Sequence, residues 1–153
     1  MRSRTKSLLA ILGLTFSSGA MVSDIECYDA KIRAKPIAQI PTVYPNDPDY
    51  IVISWPWFLD LKVRKVLEGK VPQSKITVLA VLHGAYAEKT ATWLLRRNTA
   101  GGFNVIRTEP SSVRRCEADA GAARPYLRPE AGRTLEDYRR EGEEALRRYD
   151  DEE

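Results

Sequence analysis

Apolar and polar residues alternate with a period of two in the early part of the chain. Between residues 30 and 35, one side of the alternation is apolar and the other is basic. The apolar side holds Ala30, Ile32 and Ala34, and the basic side holds Lys31, Arg33 and Lys35. This period is typical of a half-buried β-strand. Pro36 then restricts the continuation of the strand to a sheet edge or a bulge.

The run from residue 50 to residue 70 is long for a single strand, and Pro56 is expected to bend or interrupt it. Alternation returns after the proline, with an inward side made of Leu59, Leu61 and Val63. Arg64 and Lys65 break the alternation, which predicts a bulge of the kind that lets strands curl around a barrel.

Two further segments complete the β pattern. Residues 75–84 are apolar on both faces, which predicts a central strand covered on both sides. Residues 91–98 and 101–107 read as a hairpin whose Gly101 and Gly102 allow a tight connection. About five strands result, and they predict an all-β core: a small antiparallel Greek-key barrel of OB type, or a sandwich.

The C-terminal segment has a helical period. Its apolar stripe is narrow and consists of Leu135, Tyr138, Gly142, Ala145 or Leu146, and Tyr149. Thr134 with Asp137 predicts a capping box. We therefore divide the chain into a β-barrel domain at 24–110, a linker at 111–133, and a helix with an acidic tail at 134–153. Because the stripe is narrow, the helix is expected to add little to the stability of the barrel.

The segment 59–81, LDLKVRKVLEGKVPQSKITVLAV, resembles small exported bacterial domains with an OB-like barrel. More distantly, it resembles the netrin-like domain of tissue inhibitors of metalloproteinases. The resemblance covers residues 28–107 and implies a barrel. Members of the inhibitor family bind zinc through an N-terminal cysteine, but Cys27 lies about six residues past the expected cleavage point, so the inhibitory wedge does not carry over.

Residues 1–20 have the pattern of a cleaved signal peptide. Arg2, Arg4 and Lys6 precede an uncharged apolar run of about ten residues, which is too short to span a bilayer. Ser18 and Ala20 supply the small residues that signal peptidase needs. We expect the protein to be periplasmic in a Gram-negative bacterium, or alternatively secreted.

The predicted leader changes the charge of the protein. It holds three of the 24 bases and none of the 21 acids, so the remaining chain is balanced. The basic excess of the whole chain therefore gives no support for nucleic-acid binding. The charged helix is too acidic, and its stripe too narrow, for stable membrane insertion.

Cys27 and Cys116 are the two cysteines of the chain. In an oxidising compartment they predict one disulfide, with two free thiols as the alternative. His83 is the single histidine, and a structural hydrogen bond at a strand end is its expected role. Asp47 and Asp49 are more typical of a solvated turn than of a calcium site. We predict no catalytic residue, no metal site and no cofactor.

Aromatic residues are concentrated around Pro56, and they offer either a ligand platform or core packing. They are Tyr44, Tyr50, Trp55, Trp57 and Phe58. Arg96, Arg97 and Arg107 could add a contact to an anionic ligand. The candidate binding residues are Tyr50, Trp55, Trp57, Phe58, Arg96 and Arg97.

Three functions follow from these features. The first is an exported, non-enzymatic binding or structural domain that contacts a protein, a peptide or an envelope polymer. The second is an inhibitor or immunity-type protein that neutralises an envelope enzyme. The third is a small hydrolase in which His83 works with a carboxylate such as Asp60 or Glu88.

Overall fold

The computed structural model describes residues 26–43, 53–107 and 113–151. The predicted signal peptide at 1–20, and the predictions for Tyr44, Tyr50 and the Asp47–Asp49 turn, lie outside these ranges. The elements are β1 (Cys27–Tyr28), β2 (Ala30–Pro41), β3 (Trp55–Glu68), β4 (Lys75–Leu82), β5 (Ala91–Arg97), β6 (Phe103–Arg107), β7 (Arg114–Arg115) and α1 (Leu135–Asp150).

Five strands close into a barrel in the order β2-β3-β4-β6-β5, with β5 returning to β2. This confirms the predicted five-stranded barrel over the sandwich. One pairing differs from the antiparallel expectation, because β4 and β6 are parallel. Successive strands alternate in direction, so β4 and β6 run the same way, and the closing order makes them neighbours. A short two-stranded sheet of β1 and β7 lies beside the barrel.

The barrel interior is filled by the apolar side of each strand. The predicted inward residues Ala30, Ile32 and Ala34 are fully buried, as are Leu59 and Leu61. The interior therefore follows directly from the period-two pattern of the sequence.

Bulges bend the strands around this interior. Arg64 has no partner between the pairs Arg33–Lys65 and Ala34–Val63, which confirms the predicted bulge. A second irregularity at Ile37 restarts the pairing at Ala38 opposite Asp60. An extra residue reverses which side chains face inward, so β2 turns its later residues toward the outer wall.

The predicted hairpin between β5 and β6 is also confirmed. The backbone N–H of Asn98 donates to the carbonyl of Gly102 at 2.9 Å. Gly101 adopts a φ of 82°, a conformation that favours glycine.

The helix α1 begins with the capping box that Thr134 and Asp137 predict. It lies on the outer wall of the barrel, where Leu135 and Tyr138 pack on a buried cluster made of Ile40, Phe58 and Leu79. The helix is thus docked. Gly142 is buried against β2, since a Cβ at this position would stand 2.8 Å from Cγ2 of Ile40 and would also clash with the carbonyl oxygen of Pro41.

The segment before the helix is also attached to the barrel. Cys27 and Cys116 form the predicted disulfide, with their Cα atoms 4.9 Å apart. Closing a loop of this length contributes about 4 to 5 kcal/mol in the chain-entropy model. Further along, the amide of Asn104 donates to the carbonyl of Arg124 at 2.7 Å. Residues assigned to the linker therefore make specific contacts with β6.

We expect Gly142→Ala to destabilise the protein by about 1 to 3 kcal/mol, because the new methyl group collides with backbone. Alanine favours helix formation over glycine by about 1 kcal/mol, so an undocked helix would gain stability instead. Urea unfolding measures the difference. Glu144→Ala, on the exposed side of the same helix, is the control and should change stability by less than about 0.5 kcal/mol.

Candidate functional site

The outer faces of β2, β3 and β4 are arranged in rows that cross the three strands. The first row is apolar and lies under α1, with Ile40 opposite Phe58 and Phe58 opposite Leu79. In the second row, Asp60 lies between Ala38 and Thr77. The third and fourth rows are basic and are made of Lys35, Lys62 and Lys75, then of Arg33 and Lys65. The wall therefore changes from apolar to basic, with one buried carboxylate at the boundary.

Asp60 is 3% exposed and binds several donors. The guanidinium of Arg139, on α1, donates to its two oxygens at 2.9 and 3.1 Å. The hydroxyl of Thr77 donates at 2.6 Å, and the ammonium of Lys75 lies 3.3 Å away. Burial alone would raise the pKa of Asp60, but the hydrogen bonds from Arg139 and Thr77 outweigh it and lower the pKa to about 2.

A groove runs along the seam where β4 meets β6. The two strands pair only at Val78–Phe103 and Leu79–Asn104, among the residues described. A cleft of about 270 Å³ lies between this seam and the start of α1. A second cleft of about 350 Å³ adjoins it beside residues 72–77. Thr77, Gly102 and Phe103 line both clefts. We therefore treat the two clefts as one feature, the seam groove.

The seam groove combines an apolar floor with polar sides. Its apolar residues are Phe58, Val78, Leu79, Phe103 and Leu135. Its polar residues include Thr77, Asn98, Glu136 and Arg139. Such a mixture buries apolar groups of a ligand while fixing its orientation through a few hydrogen bonds.

The structure separates the predicted aromatic residues. Trp55 and Trp57 lie together, with ring centroids 5.8 Å apart, and both pack with the barrel interior. Phe58 faces the opposite way and forms the groove floor, because neighbouring residues of a strand point to opposite faces. The indole N–H groups of both tryptophans have no hydrogen-bond partner within the described residues.

The predicted arginines belong to a different cluster, beside the disulfide. Arg96 is 1% exposed and donates to Asp29 at 2.8 Å, to Sγ of Cys116 at 2.9 Å, and to the carbonyl of Gly121. Arg97 is exposed and donates to Asp29 at 3.1 Å. Burial tends to raise the pKa of Asp29, but hydrogen bonds from the backbone N–H of Arg97 and from the side chains of Arg96 and Arg97 lower it overall. Arg96 therefore attaches the C-terminal segment to the barrel.

Within the described residues, the ring of His83 is hydrogen-bonded to a main-chain carbonyl and not to a carboxylate. Its ring is exposed, and Nδ1 is hydrogen-bonded to the carbonyl of Ile53. Glu88 forms an ion pair with Lys35 at 3.8 Å, while Asp60 is engaged by Arg139. Across residues 26–43, 53–107 and 113–151, no group of three or more potential metal ligands occurs.

The disulfide fits a protein that works outside the reducing cytoplasm. In the part of the chain that the structure describes, no helix has the length and apolar character needed to cross a membrane.

The sequence did not point to Thr77, Gly102 or Arg139 as site residues. Gly102 was assigned to a tight turn, and Arg139 lies outside the apolar stripe that the sequence predicts for the helix. Only the close approach of β4, the β5–β6 turn and α1 places them together. The chain matches no protein-family model, no curated protein and no solved structure.

We expect Asp60→Asn to lower stability by about 2 kcal/mol at pH 7, because the ionised Asp60 is favoured in the folded state. The folded pKa of about 2 lies below the unfolded value. The stabilisation by ionised Asp60 is therefore complete above about pH 4 and is lost as the pH falls toward 2. Urea unfolding of both proteins between pH 7 and pH 2 should show the difference shrinking over that window. A difference that stays constant with pH would contradict the assignment.

Proposed function

We propose that the protein is an exported, non-enzymatic binding domain of the periplasm that holds an extended segment of a protein partner in the seam groove. The observation that carries the proposal is the groove itself, which joins two clefts along an incompletely paired strand. Periplasmic location is supported by the disulfide and by the predicted leader.

The backbone of β4 supports an extended ligand. Its pairing with β6 begins at Val78, so residues 75–77 border the groove without a β6 neighbour in the described chain. An extended peptide laid there would bond to main-chain groups and place alternate side chains in the clefts. Phe103 and Thr77 both line the cleft beside that path.

Binding is favoured over turnover by the environment of His83, whose ring contacts a main-chain carbonyl. A catalytic imidazole needs a nucleophile or an orienting carboxylate within hydrogen-bond reach. An envelope enzyme is one class of partner that the groove would serve, and with that partner the domain would act as an inhibitor or immunity-type protein.

The test blocks the groove without straining the fold. Gly102 lines both clefts, and a Cβ there would meet nothing nearer than the Asn98 side chain at 3.9 Å. Extended peptides are first selected from a random library on the exported protein. We then expect Gly102→Trp to weaken peptide binding at least about 10-fold, which corresponds to about 1.4 kcal/mol, as measured by fluorescence anisotropy.

Gly84→Trp is the matched control, since a Cβ at Gly84 meets no atom within 4 Å and the residue lies outside the groove. This variant should bind like the unmodified protein. Equal binding by both tryptophan variants would contradict the proposal, and so would hydrolysis of the selected peptides that is abolished by His83→Ala.

A further inference from the structure

Five cations form a compact array on the outer barrel wall, which we call the basic wall. It consists of Arg33, Lys35, Lys62, Lys65 and Lys75. Lys62 lies directly between Lys35 and Lys75 in the strand register, and Arg33 lies opposite Lys65. Like charges in directly opposite positions of a sheet are destabilising, so this arrangement is costly for the isolated protein.

The protein does little to neutralise the basic wall. Glu88 reaches Lys35 at 3.8 Å and is itself 73% exposed at its side chain, so this pair is weak. Asp60 lies 3.3 Å from Lys75, but its two oxygens are already bound by Arg139. Arg33, Lys62 and Lys65 have no ion pair within the described residues.

The chain has enough acidic residues to neutralise the basic wall. Apart from the predicted leader, the chain has as many acids as bases. Many of these acids lie on α1, at Glu136, Asp137, Glu141, Glu143 and Glu144. Yet the helix covers the apolar row and leaves the basic rows open. Asp137, Glu141 and Glu143 are paired with nearby arginines, so the acids of α1 do not neutralise the basic wall.

We propose that the basic wall binds the phosphate groups of an anionic phospholipid membrane. Strands lie about 4.8 Å apart, and successive residues on one face are about 7 Å apart, so the five cations form a two-dimensional array. An array that extends in two dimensions matches the phosphates of a membrane surface better than those of a linear polymer. An exposed apolar side chain lies on one of the same strands, at Ile37 (43% exposed), and can contact the membrane interface.

A linear polyanion is a poorer match for this surface. Single-stranded nucleic acid binds proteins through aromatic side chains on which its bases stack. Trp57 and Trp93 are buried in the barrel interior and are not on the wall. The basic wall also meets the seam groove at Lys75, so a membrane bound there would hold the groove close to its surface.

The experiment measures sedimentation of the exported protein with large vesicles. The vesicles contain either phosphatidylcholine alone or phosphatidylcholine with 30 mol% phosphatidylglycerol, a composition on the order of a moderately anionic membrane. The variant K35Q/K62Q/K65Q is compared with K89Q/R147Q/R148Q, which removes the same charge from other exposed positions. We expect binding only to anionic vesicles, weakened roughly 100-fold in the first variant and little changed in the second.

Unfolding in urea without lipid supplies a second measurement. The variant K35Q/K62Q/K65Q should have a higher unfolding midpoint than the unmodified protein at low salt, because cross-strand repulsion is removed. The difference should shrink at high salt, where the repulsion is screened. This readout also shows that the variant is folded.

Three results would overturn the proposal. They are equal loss of vesicle binding in both triple variants, equal binding to neutral and anionic vesicles, and binding to soluble polyphosphate or DNA with none to vesicles. Because the peptide measurements with Gly102→Trp use no lipid, failure here leaves the seam groove proposal separately testable.

Discussion

The ion pair between Asp60 and Arg139 is the contact on which the outer surface of this domain depends. Asp60 lies in the middle of β3 and is almost completely buried. A buried carboxylate is costly unless charged partners and hydrogen bonds satisfy it. Arg139 meets this requirement by binding both oxygens, and it lies on a helix that would otherwise be held mainly by a narrow apolar stripe. The position of the helix is therefore set by a polar contact as well as by apolar packing.

This placement determines which surfaces remain available. With Arg139 at the boundary, α1 covers the apolar row of Ile40, Phe58 and Leu79 and forms one side of the seam groove. The basic rows beyond Asp60 stay open to solvent. At the other end of the C-terminal segment, the disulfide and the bonds of Arg96 to Asp29 and Gly121 hold the chain against the barrel. Both proposed binding surfaces thus follow from how the C-terminal segment is attached.

The barrel interior could be predicted from sequence because its signal is local. Ala30, Ile32 and Ala34 show the period of a strand within a few residues, and the break at Arg64 marks a bulge. The single capping box of α1 was likewise visible in Thr134 and Asp137.

The site could not be predicted in the same way. Arg139 and Asp60 are 79 positions apart, and on a helix rich in charge nothing distinguishes this arginine from its neighbour Arg140. The aromatic residues around Pro56 suggested one platform, but strand geometry sends Trp57 inward and Phe58 outward. The expectation that the helix adds little considered only its apolar stripe, and omitted the ion pair.

Native-state hydrogen exchange tests most directly whether the ion pair fixes the helix. If the ion pair fixes the helix, amides in the middle of α1 exchange with a free energy close to that of global unfolding. In Arg139→Gln, the same amides should lose about 3 kcal/mol of protection, since Asp60 is left with an incomplete set of partners. Two results would show that the ion pair does not fix the helix. Helix amides of the unmodified protein could exchange by local opening, with a free energy far below that of global unfolding, or Arg139→Gln could leave their exchange unchanged.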